Sequence, residues 1–490
     1  MLKRIFYKAI FLTVVISSFS ACNKYLDLQP PNGITSNKFW KTKEDLQGAV
    51  IGIYTTMSGG GPVSAAFMWG ELRADFLIAT PFASRAAVDV MSHNILPTNA
   101  LADWSPIYRV INLCNTVIEL GPKVKEIDAT LTQTQLENYL GEAYAIRALM
   151  YFYLARTFGD VPLKLKASIT DDDIVDLAKS NQQEVLNQIL SDLTIAENFT
   201  AVTYGNVNHD KGRITKWAVN AMQADVYLWM DRYEDCIEAC QKVRTSGKFT
   251  LVEGDDNWFR KLYIEGNSVE SIFEIQYETE PTNRNTAIFN LLNAANKSFL
   301  GNTAMLETFY TTDLIDPDNK DIRGEGVAIN SADGIVYKYF VTNVDQMDRN
   351  WIYYRYADIL LMQAEAYANS GRGQAALDII EVIRARANAL PGSALLVGPT
   401  DVNGITNYLV AERAREFAYE GKRWFDLLRN AKRNDFERID ILQDAAVRSV
   451  PAVSLEAAIA KMQDENSLYL PIYFTEIQRN KKLVQNPYYK

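Results

Sequence analysis

The apolar positions of residues 356–386 recur at the spacing of a helical hairpin. In the first half they fall on one face of a helix. This face consists of Tyr356, Ile359, Leu360, Ala364 and Tyr367. A second helical pattern begins after a break at 370–373, and its apolar face consists of Ala376, Leu377, Ile380 and Ile383. Small residues at positions 364 and 376 allow the two helices to approach closely, so the pattern predicts a hairpin of the tetratricopeptide type.

The same pattern occurs earlier in the chain, over residues 217–244. At the two positions where small residues allow close packing, this copy has Ala224 and Cys236. Cys240 lies one helical turn after Cys236, and Cys114 lies in another predicted helix. We therefore expect all three cysteines to be buried small apolar residues rather than disulfide partners.

A hairpin with this much apolar surface is unstable alone, which implies that several units stack. We expect hairpins at about 136–160, 217–244 and 356–386, and the first of these regions is apolar on most sides. Alternating apolar and polar residues over 271–277 predict a β-strand. The sequence thus predicts a mainly α protein with one globular domain over residues 39–490. It is a tetratricopeptide-like hairpin scaffold with long irregular loops and a few short strands.

The N-terminus has the composition of an export signal. Three positively charged residues, Lys3, Arg4 and Lys8, precede an apolar stretch at 9–16, which is too short to span a bilayer. Small residues then lead into Cys22, an arrangement that resembles the bacterial lipoprotein cleavage box. We expect a signal peptide over 1–21, lipidation of Cys22 and an extended tether over 22–38. The alternative is an ordinary cleaved secretory signal with a chance cysteine.

Composition excludes some classes of function. The chain is 48% hydrophobic and 22% charged, as expected of a folded protein with a large core. Its formal net charge is -10 and its Lys and Arg residues form no cluster, which argues against a nucleic-acid partner. His93 and His209 are the only histidines, and the acidic run at 316–321 has Lys320 where a calcium loop needs an oxygen ligand. We therefore expect no metal site and no cofactor.

One pair of carboxylates has a spacing that suggests catalysis. Glu416 and Glu420 are one helical turn apart in a charged helical segment at 410–429. Arg413 and Arg423 lie three residues outside them on the same face, so we expect mutual ion pairs. A glycosidase needs one of its two carboxyl groups neutral, whereas adjacent guanidinium groups favour the charged form. We therefore predict no catalytic residue here.

Residues 65–103 break the helical periodicity and are rich in aromatic and charged side chains. A long irregular stretch in a helical protein is commonly functional, and its aromatic content argues against disorder. Glycan recognition uses aromatic faces together with planar polar groups. The ligand-binding candidates are Trp69, Asp75, Phe82, Arg85 and His93 in this stretch, and Tyr277, Asn283 and Arg284 in a later one. Core packing is the alternative for each aromatic residue, and a solvated loop is the alternative for each charge.

Six stretches run in order from the tether to the C-terminus. They are YLDLQPPNGIT, FWKTKEDLQGAVIGIY, GEAYAIRALMYFYLARTFGDVPL, YRYADILLMQAEAYANSG, ERAREFAYEGKRWFDLLR and LPIYFTEIQRNKKLVQNP. Together they resemble the SusD/RagB family, lipid-anchored nutrient-binding proteins of the Bacteroidetes outer surface. The resemblance implies a helical scaffold whose loops form the ligand site, and a SusC-like TonB-dependent barrel on which the lipoprotein sits as a hinged lid. It implies no enzymatic activity.

Three functions remain open. The leading hypothesis is a lipoprotein on the outer face of the outer membrane that binds an oligosaccharide and delivers it to the barrel. Most of the eight tryptophans sit in helical patterns, so a carbohydrate platform built from several tryptophans is not visible. A peptide-binding member of the same family is therefore the alternative. The third hypothesis is a helical-repeat scaffold that docks a protein on a concave face.

Overall fold

The computed structural model describes residues 39–311, 313–316 and 318–490. The predicted signal peptide, Cys22 and the tether lie outside the described residues. Within the described ranges, no helix combines the length and the apolar composition that are needed to cross a membrane.

Helices form most of the regular structure, which confirms the predicted mainly α fold. They are α1 (Lys43–Ser58), α2 (Gly61–Glu71), α3 (Arg85–Met91), α4 (Ser105–Ile127), α5 (Gln133–Phe158), α6 (Gln182–Phe199), α7 (Val207–Gly212), α8 (Lys216–Trp229), α9 (Tyr233–Thr245), α10 (Thr286–Leu292), α11 (Tyr356–Asn369), α12 (Gly373–Arg386), α13 (Val402–Phe417), α14 (Arg423–Ala431), α15 (Arg433–Phe436), α16 (Asp440–Ser449), α17 (Ala452–Lys461) and α18 (Phe474–Arg479). The strands are β1 (Leu77–Ala79), β2 (Ser271–Ile275), β3 (Phe299–Gly301) and β4 (Trp351–Arg355). Single π-helical turns occur at Arg260–Ile264 and Leu306–Tyr310.

Both hairpins predicted from the repeated pattern are present. Helices α8 and α9 form one, α11 and α12 form the other, and α9 packs against α11 so that the two hairpins stack. Ala224, Ala364 and Ala376 are fully buried, as is Cys236, whose sulfur lies 3.9 Å from the carbonyl oxygen of Met362 on α11. The small residues therefore lie where close helix packing needs them.

The region 136–160 is one long helix and not a hairpin by itself. Helix α5 begins at a capping box on Thr132 and ends at Gly159, whose φ of 73° favours glycine. Its antiparallel neighbours are α4 and α6. Arg147 of α5 holds Asp192 of α6 by two buried hydrogen bonds of 2.7 Å. Burial between two helices explains why α5 is apolar on most sides.

Helix α2 corrects the prediction that residues 65–103 are irregular throughout. The glycine run ends in Pro62, which lies in the first turn of α2, where the missing N–H of proline costs no hydrogen bond. The helix continues to Glu71, so the irregular stretch begins only there and contains β1 and α3.

The charged segment 410–429 is two helices rather than one. Between α13 and α14, Tyr419 and Gly421 have positive φ angles of 64° and 71°. A Cβ atom at Gly70 would lie 1.9 Å from the carbonyl oxygen of Gly421, so α2 touches this turn through backbone atoms. The carboxyl group of Glu71 accepts a hydrogen bond from the N–H of Gly421 at 2.7 Å. The turn is therefore fixed against the end of α2.

Two small antiparallel sheets join distant parts of the chain. Strand β1 pairs with β3, with Ile78 opposite Leu300. Strand β2 pairs with β4, with Ser271 opposite Arg355. The strand predicted over 271–277 is confirmed as β2, although it is shorter than predicted. The β1–β3 sheet links the first irregular stretch to residues 299–301 and positions the site described below.

Three of the cysteines and most of the tryptophans lie in the core. Cys114, Cys236 and Cys240 are free thiols and fully buried, which confirms their predicted role as small apolar residues. The largest fully buried side chains include Trp229, Trp258, Trp351 and Trp424. These indoles pack in the interior and are not available to a ligand.

Candidate functional site

Glu416 and Glu420 lie in the core, within a network of buried charges. Glu416 contacts Arg323 at 2.9 Å and Arg355 at 2.6 Å, and Glu420 contacts Arg355 at 3.0 Å and Lys338 at 2.8 Å. Burial by itself raises the pKa of Glu420, but Arg355 and Lys338 outweigh this effect and lower the pKa to about 2. A carboxyl group held in its charged form cannot act as a general acid. The pair is structural.

The arginines predicted to pair with these glutamates pair elsewhere. Arg413 contacts Asp358 at 2.9 Å and Asp426 at 2.8 Å, and Arg423 contacts Asp75 at 2.9 Å. Glu420 lies in the turn between α13 and α14, so it does not share a helix face with Arg423. Arg413 instead pairs with Asp358 on α11 and Asp426 on α14. The prediction of ion pairing is correct, and the predicted partners are wrong.

Trp69 and Asp75 lie in the interior rather than at a ligand-binding surface. Trp69 is 4% exposed, its indole N–H donates to the carbonyl oxygen of Leu101 at 2.8 Å, and its ring packs edge-on against Phe158. Asp75 is fully buried, and Arg448 also contacts its carboxylate at 2.9 Å. Neither side chain presents a face to solvent, so the structure assigns both to the core, against the prediction.

His93 and Tyr277 are buried as well. The His93 ring lies 5.7 Å from the ring of Trp424, and burial, with a further contribution from the charge of Arg73, lowers the pKa of the imidazole to about 3. The hydroxyl of Tyr277 donates to the carbonyl oxygen of Ser58 at 3.1 Å. Both side chains therefore pack in the interior and are not at a ligand-binding surface.

Asn283 and Arg284 lie in a half-buried turn. The Nε atom of Arg284 donates to the carbonyl oxygen of Thr279 at 2.6 Å, and its guanidinium contacts Asp345 at 3.1 Å. The carbonyl oxygen of Asn283 accepts the N–H of Glu278 at 2.8 Å. These contacts connect two loops to each other and occupy the guanidinium that was expected to bind ligand.

Phe82 and Arg85 are exposed, as a ligand contact requires. Phe82 is 63% exposed. Arg85 contacts Asp89 at 2.9 Å, and most of its side chain is in solvent. The turn that carries Phe82 is fixed by Thr80, whose hydroxyl donates to the carbonyl oxygen of Lys297 at 2.6 Å and accepts the N–H of Phe82 at 3.1 Å. Phe82 is therefore held at one end of the β1–β3 sheet.

The outer face of the sheet next to this turn also carries apolar side chains. Ile78 is exposed, and its cross-strand partner Leu300 is half-buried on the same face. The loop that contains Gly334 lies alongside, because the N–H of Gly301 donates to the carbonyl oxygen of Gly334 at 2.8 Å. We call Phe82, Ile78 and Leu300 the apolar strip.

A cavity of about 690 Å³ lies beyond the opposite end of β3, within residues 303–331. Its polar lining includes Thr303, Glu307, Asp313, Asn319, Lys320 and Glu325. The volume falls within the range of small-molecule sites. Hydroxyl, carboxylate, amide and ammonium groups converge on it, so a ligand can both donate and accept hydrogen bonds. We call it the polar cavity.

The buried charge network fixes the floor of the polar cavity. Tyr310 lines the cavity and is buried, and its hydroxyl donates to the carbonyl oxygen of Arg415 at 2.9 Å. Asp321 contacts Arg323 at 2.7 Å, and Arg323 contacts Glu412 at 2.6 Å. Charge-assisted hydrogen bonds among buried groups restrict motion, which preorganises the floor for binding.

Negative charge is in excess around the polar cavity. Among the residues that the structure describes, Glu307, Asp313 and Glu325 line the cavity together with a single unpaired cation-bearing residue, Lys320, while the lining Asp321 is already paired with Arg323. A hydrogen bond from the side chain of Asn319, followed by backbone N–H groups, lowers the pKa of Asp313 and keeps it charged. Over the ranges that the structure describes, no group of three His, Cys, Asp or Glu side chains has the arrangement of a metal site. The charges therefore favour a ligand that is rich in hydrogen-bond donors.

Sequence reasoning missed the polar cavity. Its residues are spread over 303–331, where no helical or alternating period relates them. The sequence signal that was available is the concentration of Asp, Asn and Thr between β3 and β4 in an otherwise helical protein. That signal marks a loop, but it does not show that the loop encloses a cavity.

Two family models match the chain. One, described as the SusD family, matches residues 328–489, and another, described as starch-binding associating with outer membrane, matches residues 24–228. A SusD-like protein of Formosa agariphila is 27% identical, and the alignment covers 97% of this chain and 98% of that protein. The chain belongs to the SusD family.

Solved structures confirm that this SusD-family chain has the expected fold. A SusD superfamily protein from Bacteroides vulgatus superposes with a TM-score of 0.76 at 24% identity, over 92% of this chain and 100% of that one. Another from Bacteroides thetaiotaomicron gives a TM-score of 0.72 at 22% identity, over 91% and 100%. SusD-like proteins are nutrient-binding proteins associated with the outer membrane, and they form a family of binding proteins rather than enzymes.

Proposed function

We propose that this protein captures an oligosaccharide at a face formed by the apolar strip and the polar cavity. The polar cavity is the observation that carries this proposal, because sugar hydroxyls can donate to its carboxylates and accept from its hydroxyl and amide groups. Phe82 adds an exposed aromatic face on which a sugar ring can stack. The description of one matching family as starch-binding also favours a glycan.

A peptide is the second candidate ligand. The excess of carboxylates around the polar cavity favours ammonium or guanidinium groups, which peptides carry at the N-terminus and on basic side chains. The apolar strip would then accommodate an adjacent apolar side chain. The choice between the two ligands depends on whether hydroxyl or cationic groups enter the cavity.

Calorimetry against a panel of oligosaccharides and a panel of oligopeptides tests the proposal. We expect saturable heat with an oligosaccharide and a loss of about tenfold or more in affinity for Glu307→Gln, since a hydrogen bond to a charged group contributes about 1.5–3 kcal/mol. Glu234→Gln, an exposed glutamate on α9, is the matched control and should leave affinity unchanged. Binding of basic peptides alone would favour the second candidate. The absence of binding heat with both panels would contradict nutrient capture for those ligands.

The membrane attachment is also a proposal. We propose that Cys22 is lipidated and that several acyl chains anchor the protein at the outer membrane, facing outwards, because stable anchoring needs more than one chain. Replacing Cys22 by Ala should move the protein from the membrane fraction to the soluble fraction, while Cys240→Ala, at a buried thiol, should not. Membrane retention of the Cys22 variant would contradict lipid anchoring.

The transport partner that we propose is a SusC-like TonB-dependent barrel. The support is membership of the SusD family and the association of that family with the outer membrane. A tagged, lipidated protein should co-purify from detergent-solubilised outer membranes with a TonB-dependent barrel in a fixed ratio. Recovery of the protein free of any such barrel under mild detergent would argue against a stable complex.

A further inference from the structure

A second cavity, of about 230 Å³, lies between α7, the start of α8 and the residues that precede β2. Its mouth is formed by three exposed valines, Val202, Val207 and Val269. Phe249, which is buried, and Trp217, which is half-buried, also line it. A cavity of about 150 Å³ is enough to hold benzene. This one therefore has room for an aromatic or short aliphatic body with a small polar head.

Two buried groups of this cavity are hydrogen-bond donors, the ammonium of Lys211 and the indole N–H of Trp217. Lys211 is only 7% exposed, and its ammonium donates to the carbonyl oxygen of Ser271 and lies 4.4 Å from the centre of the Phe249 ring. An ammonium group has three donors. The indole Nε1 of Trp217 is buried and has no hydrogen-bond partner among the described residues. Burial lowers the pKa of Lys211 to about 8, so its ammonium still carries charge at neutral pH.

The carboxylate that lines the cavity is already engaged. Asp210 accepts a hydrogen bond from the hydroxyl of Thr203 at 2.7 Å and another from the N–H of Tyr204. At the rim, the exposed Lys248 adds a second positive charge. The cavity thus combines apolar walls with two cations and an indole N–H, and it lacks the carboxylate excess of the polar cavity.

We propose that this cavity binds a small carboxylate with an apolar body. The carboxylate accepts hydrogen bonds from Lys211, and the apolar body lies against Phe249, Trp217 and the valines. Apolar walls exclude water from the ion pair, which strengthens it relative to an exposed pair. The site is separate from the proposed nutrient-binding face and does not depend on the ligand bound there.

Ligand-observed fluorine NMR tests the proposal, with 4-fluorophenylacetate and its neutral analogue 4-fluorophenylacetamide as probes of the full mature chain. We expect saturable binding of the carboxylate, about tenfold or more tighter than binding of the amide, because only the carboxylate makes a charged hydrogen bond. Equal affinity for the two probes, or no saturable binding of the carboxylate, would overturn the proposal.

Two variants and a matched control locate the binding. Val269→Asp places a negative charge at the mouth of the cavity and should weaken carboxylate binding about tenfold. Val453→Asp introduces the same charge at an exposed valine on α17 and should have no effect. Lys211→Met should make the two probes bind equally. If the Lys211→Met variant fails to fold, the Val269→Asp variant still tests the proposal. Carboxylate binding to Val269→Asp that is as tight as binding to the unmodified protein would contradict a site in this cavity.

Discussion

Replacing Arg355 by Met removes the cation at the centre of the buried charge network. Its guanidinium contacts Glu270 and Glu416 at 2.6 Å and Glu420 at 3.0 Å, and all four side chains are almost completely buried. Methionine keeps much of the apolar stem but leaves these carboxylates without their shared partner. Breaking one buried pair costs about 3–5 kcal/mol, and a domain has only about 5–15 kcal/mol of stability. We expect a loss of at least about 3 kcal/mol.

Urea unfolding followed by circular dichroism measures this loss. Arg260→Met is the matched control, because Arg260 contacts Glu265 at a similar distance of 2.7 Å but with 58% and 48% of the two side chains exposed. An exposed pair contributes about 0–1 kcal/mol, so the control should shift the midpoint little. A shift for Arg355→Met no larger than that of the control would refute the claim that this network holds the fold.

Three further predictions concern buried carboxylates. Burial raises the pKa of Glu71 from 4.5 to about 8. The contribution of its neutral carboxyl group to stability is therefore present below pH 4.5 and is lost towards pH 8, by about 1.4 kcal/mol per pH unit. Glu71→Gln should stabilise the protein against urea at about pH 8.5 and not at pH 4.5, and equal effects at the two pH values would contradict this. The pKa values of Glu365 and Glu420 are lowered to about 2. The stabilisation of the fold by their charged carboxylates is therefore present above pH 4.5 and is lost towards pH 2. Acid unfolding followed by circular dichroism should begin only below pH 4.5. Asp75→Asn should lower the free energy of unfolding by about 3 kcal/mol or more and leave the ligand affinity measured by calorimetry unchanged. A loss of ligand affinity with no change in the free energy of unfolding would show instead that Asp75 contacts the ligand.

The scaffold could be predicted because its determinants are local. Apolar period, small residues at helix contacts and breaks at Gly or Pro lie within a few residues of each other, as in 217–244 and 356–386. These segments have the predicted hairpins. The boundary at 418–422 was missed because Tyr419 adopts a positive φ, which sequence pattern alone does not favour for a large side chain.

The site could be predicted only in part, because contacts between distant residues decide which loop side chains are buried. Asp75 contacts Arg448, which lies 373 residues away, and Trp69 packs on Phe158. No local pattern reports such contacts. Phe82 has the exposure expected of a ligand contact, whereas the polar cavity depends on how residues 303–331 fold over the charge network.

Hydrogen–deuterium exchange with and without the oligosaccharide that binds best in calorimetry tests the central claim most directly. We expect the ligand to slow exchange in the segments that form the apolar strip and the polar cavity, residues 77–84 and 297–331. The stacked hairpins at 217–244 and 356–386 should exchange at the same rate in both states. Protection confined to the hairpins, with no change in the two loop segments, would contradict the proposed binding face.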